Sequence, residues 1–321
     1  MTVNQKAQSV FKKLGAVALI TATMLMLAMF FTACNQTGNT GGSGSGGGKP
    51  TPTPTDKTYT VDGVSFMMKE IAAVENGNIG HVDVKDNKPH KINLSAYRIG
   101  ETEVTQELWQ AVMSQNPSGF SNNPDGSEKQ QKRPVERVSW YSCIVFCNEL
   151  TKKLNGGSDA ECVYTFDGHA YDSDDEEAER KPEMNMAKKG FRLPTEAEWE
   201  WATMGGQDYK WAGTDDVEKL GEYAWYSANS NGKTHEVKKK KPNGYGLYDM
   251  SGNVAEWCWD VYDSLPEQME KDYTGLSIDG PHVFHSGSWK QGANGAARAL
   301  RNASDADDGG SDLGLRLASR L

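Results

Sequence analysis

Two carboxylates bracket a tight turn in Gly246-Leu247-Tyr248-Asp249-Met250-Ser251-Gly252-Asn253-Val254-Ala255-Glu256-Trp257. A Gly-Asn pair between Asp249 and Glu256 permits a curled backbone there. Carbonyl oxygens of Gly252 and Val254, added to the two carboxylates, would make the hard oxygen shell that calcium takes. The same residues suit a purely structural role, with Asp249 and Asn253 holding turns and Glu256 paired to an arginine. Thiol chemistry is the second candidate. Apart from Cys34, the cysteines are Cys143, Cys147, Cys162 and Cys258. Cys143 and Cys147 stand i,i+4 on an expected helix, a poor geometry for bridging each other. They flank Ile144, Val145 and Phe146, so buried free thiols are expected. No histidine lies near enough in sequence to a cysteine to suggest zinc, and no His-x-x-x-His pair suggests iron. The acidic run at residues 172–179 offers oxygen ligands but has the composition of a solvated loop. The basic run at residues 238–241 precedes Pro242-Asn243-Gly244 and is expected to be solvated as well.

A third candidate is a surface rather than a reaction centre. Residues 290–312 consist largely of Gly, Ala, Asn, Asp and Ser, side chains that suit an exposed loop tolerant of many sequences. Short buried strands are expected on either side. Val283-Phe284-His285-Ser286-Gly287-Ser288-Trp289 precedes the segment, and Leu313-Gly314-Leu315-Arg316-Leu317-Ala318 follows it. A rigid frame around a permissive segment is the layout of a recognition surface.

The elements that must position these residues follow from composition. Residues 1–33 have a basic start (Lys6, Lys12, Lys13) and a long apolar run, the pattern of an export signal. The ending Phe31-Thr32-Ala33-Cys34 resembles a loose lipoprotein box, which would make Cys34 the lipidated first mature residue. Several acyl chains, at about 0.8 kcal/mol per buried methylene, give a stable membrane anchor. A retained transmembrane helix is the alternative, and either places the remainder outside the cytoplasm; an exported lipoprotein at the outer membrane or cell surface is expected. Residues 34–57, Gly/Ser-rich and then Pro/Thr-rich, form a tether. Residues 58–321 carry no second linker and are expected to form one domain. The net charge of −10 argues against nucleic acid as a partner.

Within that domain an α+β, loop-rich fold is expected. Residues 61–71 and 92–99 alternate as strands do, and residues 105–113 and 140–154 show helical spacing. The clearest helix starts after Pro194, where Thr195 and Glu198 form a capping box. Nine tryptophans in so loop-rich a chain imply that large rings supply much of the core.

Five motifs in fixed order give a resemblance. Pro134-Val135-Glu136-Arg137-Val138-Ser139-Trp140, Gly190-Phe191-Arg192-Leu193-Pro194-Thr195-Glu196-Ala197-Glu198-Trp199-Glu200, the turn at 246–257, Gly287-Ser288-Trp289 and Leu313-Gly314-Leu315-Arg316 are present, with Thr102-Glu103-Val104-Thr105 ahead of them. Together they resemble the formylglycine-generating-enzyme (sulfatase-modifying) family across nearly all of residues 58–321. The resemblance implies a C-type-lectin-like fold and calcium at Asp249, Gly252, Val254 and Glu256. The family's other calcium site draws on a loop that is short here, between Trp225 and Asn243, and is not carried over. Its oxidases need two cysteines soon after the Gly-Ser-aromatic motif, and this chain has Gln291 and Ala296 in those places. Neither side chain holds copper or forms a mixed disulfide with substrate, so neither copper nor oxidase activity is expected.

A non-catalytic branch of the family comprises the target proteins of diversity-generating retroelements, and the chain is similar to it. There, adenine-directed mutagenesis rewrites a segment between Gly-Ser-Trp and Leu-Gly-Phe-Arg-Leu, mostly from Asn codons, which readily yields Asp, Gly, Ser, Ala or Leu. The resemblance implies a variable, ligand-binding face at Lys290, Gln291, Gly292, Asn294, Gly295, Leu300, Asn302, Ala303, Ser304, Asp305, Asp308, Gly310, Ser311 and Asp312. Lys290 and Gln291 depart from the codon rule. Ala293, Ala296 and Arg301 would be framework, and Arg298 and Arg301 are the only large polar anchors for a ligand. A monomer recognising a protein or glycan on another cell is expected. The sugar-binding Glu-Pro-Asn and Gln-Pro-Asp tripeptides of true lectins are absent. The rivals are a structural envelope lipoprotein and an oxidase of the family with divergent chemistry.

Overall fold

Asp62 and Gly63 both take left-handed backbone angles (φ 47° and 80°), so the alternating stretch at 61–71 breaks into a hairpin. Its arms, Lys57–Val61 and Val64–Ile71, pair antiparallel from Lys57↔Met68 to Val61↔Val64. The structure, a computed structural model, describes residues 55–321 except Ile278. The export signal, Cys34 and nearly all of the tether lie outside the described residues. No helix among those described is long and apolar enough to cross a membrane.

The hairpin begins a five-stranded sheet ordered Lys57–Val61, Val64–Ile71, Tyr97–Gly100, Ala318–Arg320, Phe191–Arg192. The expected strand at 92–99 is two strands in two sheets. His90–Leu94 joins a three-stranded sheet, and the break after it is held by Asp272, whose carboxylate accepts from the Ser95 amide at 2.6 Å and the Ser95 hydroxyl at 2.7 Å. A four-stranded sheet runs Asn302–Ser304, His282–His285, Ala255–Val261, Leu313–Leu315. The closing segment of the chain therefore supplies strands to two sheets, and Arg316 sits between them.

Among the described residues five α-helices lie between the strands. Thr105 caps α1 (Gln106–Met113) and Ser139 caps α2 (Trp140–Leu154), where the sequence places helices. The acidic run is not the solvated loop expected. Asp172 caps a short helix, α3 (Ser173–Glu177), and Asp175 is buried between His169 and Arg180. In α4 (Glu196–Met204) both bonds of the Thr195–Glu198 capping box form. The last helix is α5 (Leu220–Tyr223). Trp109, Trp140, Trp199, Trp211 and Trp257 are buried, so large rings do fill the core. Cys143, Cys147, Cys162 and Cys258 are free and buried, and burial pushes the Cys162 thiol up to about 11.

Arg316 ties the sheets together from a fully buried position. Its guanidinium donates to both Glu256 oxygens at 2.7–3.1 Å and to the carbonyls of Gly100 and Tyr248. Replacing it with leucine leaves a buried carboxylate with Trp199 as its main remaining partner. We expect Arg316→Leu to lose about 3–5 kcal/mol, measured by the shift in denaturant midpoint at constant m-value.

Candidate functional site

Three glutamates of α4 are almost fully buried: Glu196, Glu198 and Glu200. Glu198 turns back to complete the capping box and pairs with Arg192 at 2.6 and 2.7 Å. Glu196 and Glu200 stand one helical turn apart and share the other face. Both meet arginines from the 290–312 segment. Arg301 forks onto Glu196 (2.6 and 2.8 Å), and Arg298 reaches Glu200 at 2.5 Å. Arg298 also bonds Asp208 and the carbonyls of Tyr209 and Gly80. These two arginines are buried struts that hold the segment to the helix rather than exposed anchors for a ligand, and Arg301 sits where framework is expected.

The ends of the segment are fastened separately. Lys290 Nζ reaches Asp312 Oδ1 at 2.6 Å, and the Ser288 hydroxyl donates to Asp312 Oδ2 at 2.9 Å. Trp289 lies just outside, its indole N–H donating to the Ser311 carbonyl at 3.1 Å and its ring edge-on to Phe120. Gly287 accounts for the tight entry. Its φ is +62°, and a side-chain carbon there would stand 2.4 Å from the Gly295 carbonyl oxygen.

Between neck and struts the side chains sort cleanly. Ala296, Ala297 and Ala299 are buried, the first two packed against Trp211, Leu220 and Ala224. Lys290, Gly292, Asn294, Asp305 and Asp308 are exposed, and Gln291, Gly295, Leu300, Asn302, Ala303, Ser304, Gly310 and Ser311 are half-buried. Asp312 departs from expectation: it is 8% exposed and belongs to the neck. The segment is also more regular than a loop. Asn302–Ser304 forms the edge strand beside His282–His285, pairing Phe284↔Asn302 and His282↔Ser304.

The turn at 246–257 is a structural hub. Asp249, Gly252 and Asn253 take left-handed angles. The Asn253 side chain bonds Glu103 at 2.8 Å and both backbone groups of His235, while Glu103 accepts the Val254 amide at 3.0 Å. Glu256 has no oxygen to spare, since Arg316 holds both and the Trp199 indole N–H adds a bond at 2.6 Å. The Gly252 carbonyl accepts the Ser286 hydroxyl at 3.2 Å. Of the two carboxylates in this set, Asp249 has one oxygen, Oδ1, buried without a partner. As folded, Asp249, Gly252, Val254 and Glu256 do not fit a calcium shell, because their principal carboxylate neutralises an arginine.

No thiol stands at the positions where the family's oxidases carry theirs. Gln291 is half-buried with its side-chain oxygen unpartnered, and Ala296 is fully buried, its carbonyl accepting the Ser251 hydroxyl at 2.9 Å.

Known proteins share this arrangement of sequence and fold. Residues 48–321 match the family described as the sulfatase-modifying factor enzyme 1-like domain. Among solved structures, Treponema denticola variable protein 1 superposes with a TM-score of 0.75 at 50% identity, over 84% of this chain and 100% of that one. Chaperone protein LppX of Paenibacillus barcinonensis is 34% identical over 70% of this chain and 81% of its own length. Inactive C-alpha-formylglycine-generating enzyme 2 of Mus musculus is 31% identical over 41% of this chain and 44% of its own.

Two measurements test the strut arrangement. Arg301→Ala and Arg298→Ala should each cost about 3–5 kcal/mol, while Asp308→Ala stays within about 0.5 kcal/mol, read from denaturation midpoints. Asp260 supplies a pH signature, because it accepts the Glu196 amide at 2.7 Å and its carboxyl is pushed up to about 8 by burial and by the Glu196 charge. A raised carboxylate stabilises the fold below its ordinary range, and that stability is lost as pH rises through about 8. Asp260→Asn should therefore gain thermal stability relative to the parent at pH 9, and the gain should shrink towards pH 5.

Proposed function

The chain belongs to the sulfatase-modifying factor enzyme 1-like family, and from that premise we propose that it is a non-catalytic, ligand-binding lipoprotein of the cell surface. Its segment 290–312 is the recognition face, open to rewriting without loss of the fold. The observation that carries this reading is the sorting of that segment into buried struts and alanines on one side and accessible positions on the other. Apart from Leu300, which packs on the Trp211–Ala296 cluster, side chains at the accessible positions can change without disturbing the packed ones, so specificity and stability are largely uncoupled. The likeness to the Treponema denticola variable protein over its whole length supports the same role.

Absence of catalysis rests on chemistry. An oxidase of this family needs two thiols on the face, and Gln291 and Ala296 offer none. The four cysteines in the domain are buried, and burial raises every one of their thiols, which disfavours the nucleophilic thiolate. At these two positions Gln291 and Ala296 offer copper no thiolate.

The face is shallow, polar and acidic through Asp305, Asp307 and Asp308, and it suits a protein or glycan on another cell. A relative named as a chaperone favours a polypeptide between the two. Export and lipidation at Cys34 would hold the protein, as a monomer, on the membrane by its tether.

A displayed library randomised at Asn294, Leu300, Asn302, Ser304 and Asp308 tests the proposal. Most members should fold, with melting temperatures within about 4 °C of the parent, and selection against an unrelated protein should yield binders. Unfolding of most members would refute the role. Separately, labelling with radioactive palmitate should be lost in Cys34→Ala.

A further inference from the structure

A cavity of about 730 Å³, within the range of small-molecule sites, opens beside the start of α2. Its floor is aromatic. Trp140 stacks on His282 with ring centres 3.7 Å apart, Trp259 leans on Trp140 at 5.1 Å, and Tyr141 stands at 75° to Trp140. Burial holds the His282 imidazole down at about 4, so this ring is neutral at physiological pH. The rim carries Glu179 and Glu183, both exposed, and neither carboxylate has an ion-pair partner among the described residues. The one cation on the rim, Lys181, is paired with Asp279 at 2.9 Å. The field inside is therefore negative. Tyr141 registers it: burial, then the charges of Glu179, Asp307 and Asp279, raise its phenol.

We propose that this cavity is a second binding site, which takes an organic cation, a quaternary ammonium or a guanidinium, between the aromatic floor and the two free carboxylates. Aromatic faces attract such cations through the ring quadrupole, and the carboxylates add a Coulombic pull that a neutral ligand does not feel. A sugar could stack on the same rings, but the uncompensated negative charge selects for the cation. The site is also independent of the recognition face. Of the 290–312 segment only Ala306 reaches it, and the Ala306 carbonyl is spent on the Trp140 amide at 2.9 Å. Rewriting the exposed positions other than Asp307, whose charge is felt at Tyr141, leaves the cavity as it is.

Tryptophan fluorescence and calorimetry of the intact protein, titrated with choline or agmatine, test this. At least one cation should bind saturably, and the two arms tell ammonium from guanidinium. The neutral isostere of choline, 3,3-dimethylbutan-1-ol, should bind at least tenfold more weakly. Glu179→Gln with Glu183→Gln should weaken the cation about tenfold, and because both side chains are exposed the fold should persist. Ser304→Ala with Asp308→Asn should leave cation binding unchanged, so failure here is distinct from failure of the recognition face. No saturation by either cation below about 50 mM overturns the proposal. Equal binding of the neutral alcohol, an unaffected double variant, or binding of methyl glucoside in place of both cations would overturn it too.

Discussion

A carboxylate taken out of water must be neutralised, and in this protein that requirement joins the 290–312 segment to the scaffold. Glu196 and Glu200 lie buried on one face of α4, and Arg301 and Arg298 are their counter-ions. Either arginine removed leaves a charge stranded in a low-dielectric interior, a loss of several kcal/mol against a total stability of about twice that. The pairs therefore fix where the segment sits whatever its exposed side chains are. Glu196 shows how tightly this is set. Burial would raise its carboxyl, but His285 and Arg301 together hold it at about 2. It stays ionised wherever the fold survives.

Arg316 and Glu256 apply the same rule elsewhere. They close the gap between two sheets, and in doing so take the carboxylate that a calcium ion would have needed. The residue chemistry of the 246–257 turn left open a metal or an arginine partner, and geometry favours the arginine. A neighbouring hub of Glu103, Asn253 and His235 holds the turn by hydrogen bonds, with no ion required to explain its left-handed backbone.

Much of the fold is legible from local signals. The capping box of α4, the helical spacing of α1 and α2 and the free thiols of α2 each depend on residues close together in sequence, so pattern and propensity suffice. The misreadings share a cause. Arg298 and Arg301 sit in a loop of small and acidic residues and have the look of surface cations, because their partners are 98 and 105 residues away. A signal was present in the glutamates at alternate positions of a helix that must be buried around Trp199, since such glutamates need cations from somewhere. Asp312 and the strand Asn302–Ser304 were hidden for a related reason. Pairing to Lys290 and to His282–His285 is tertiary, and composition alone points to a loop. The break at Asp62-Gly63 was visible as a turn dipeptide but masked by the alternation on either side of it.

The neck at Lys290 and Asp312 and the two struts within it set four fixed points along a short stretch of chain. Exposed side chains between those points are free, but the number of residues between them is not. Adding or removing one residue between Arg298 and Arg301 would swing one guanidinium off its glutamate, and a slip in Asn302–Ser304 would turn its side chains to the opposite face of the sheet. A surface built this way accepts new letters and refuses new lengths, so it can be diversified by base substitution but not by insertion or deletion.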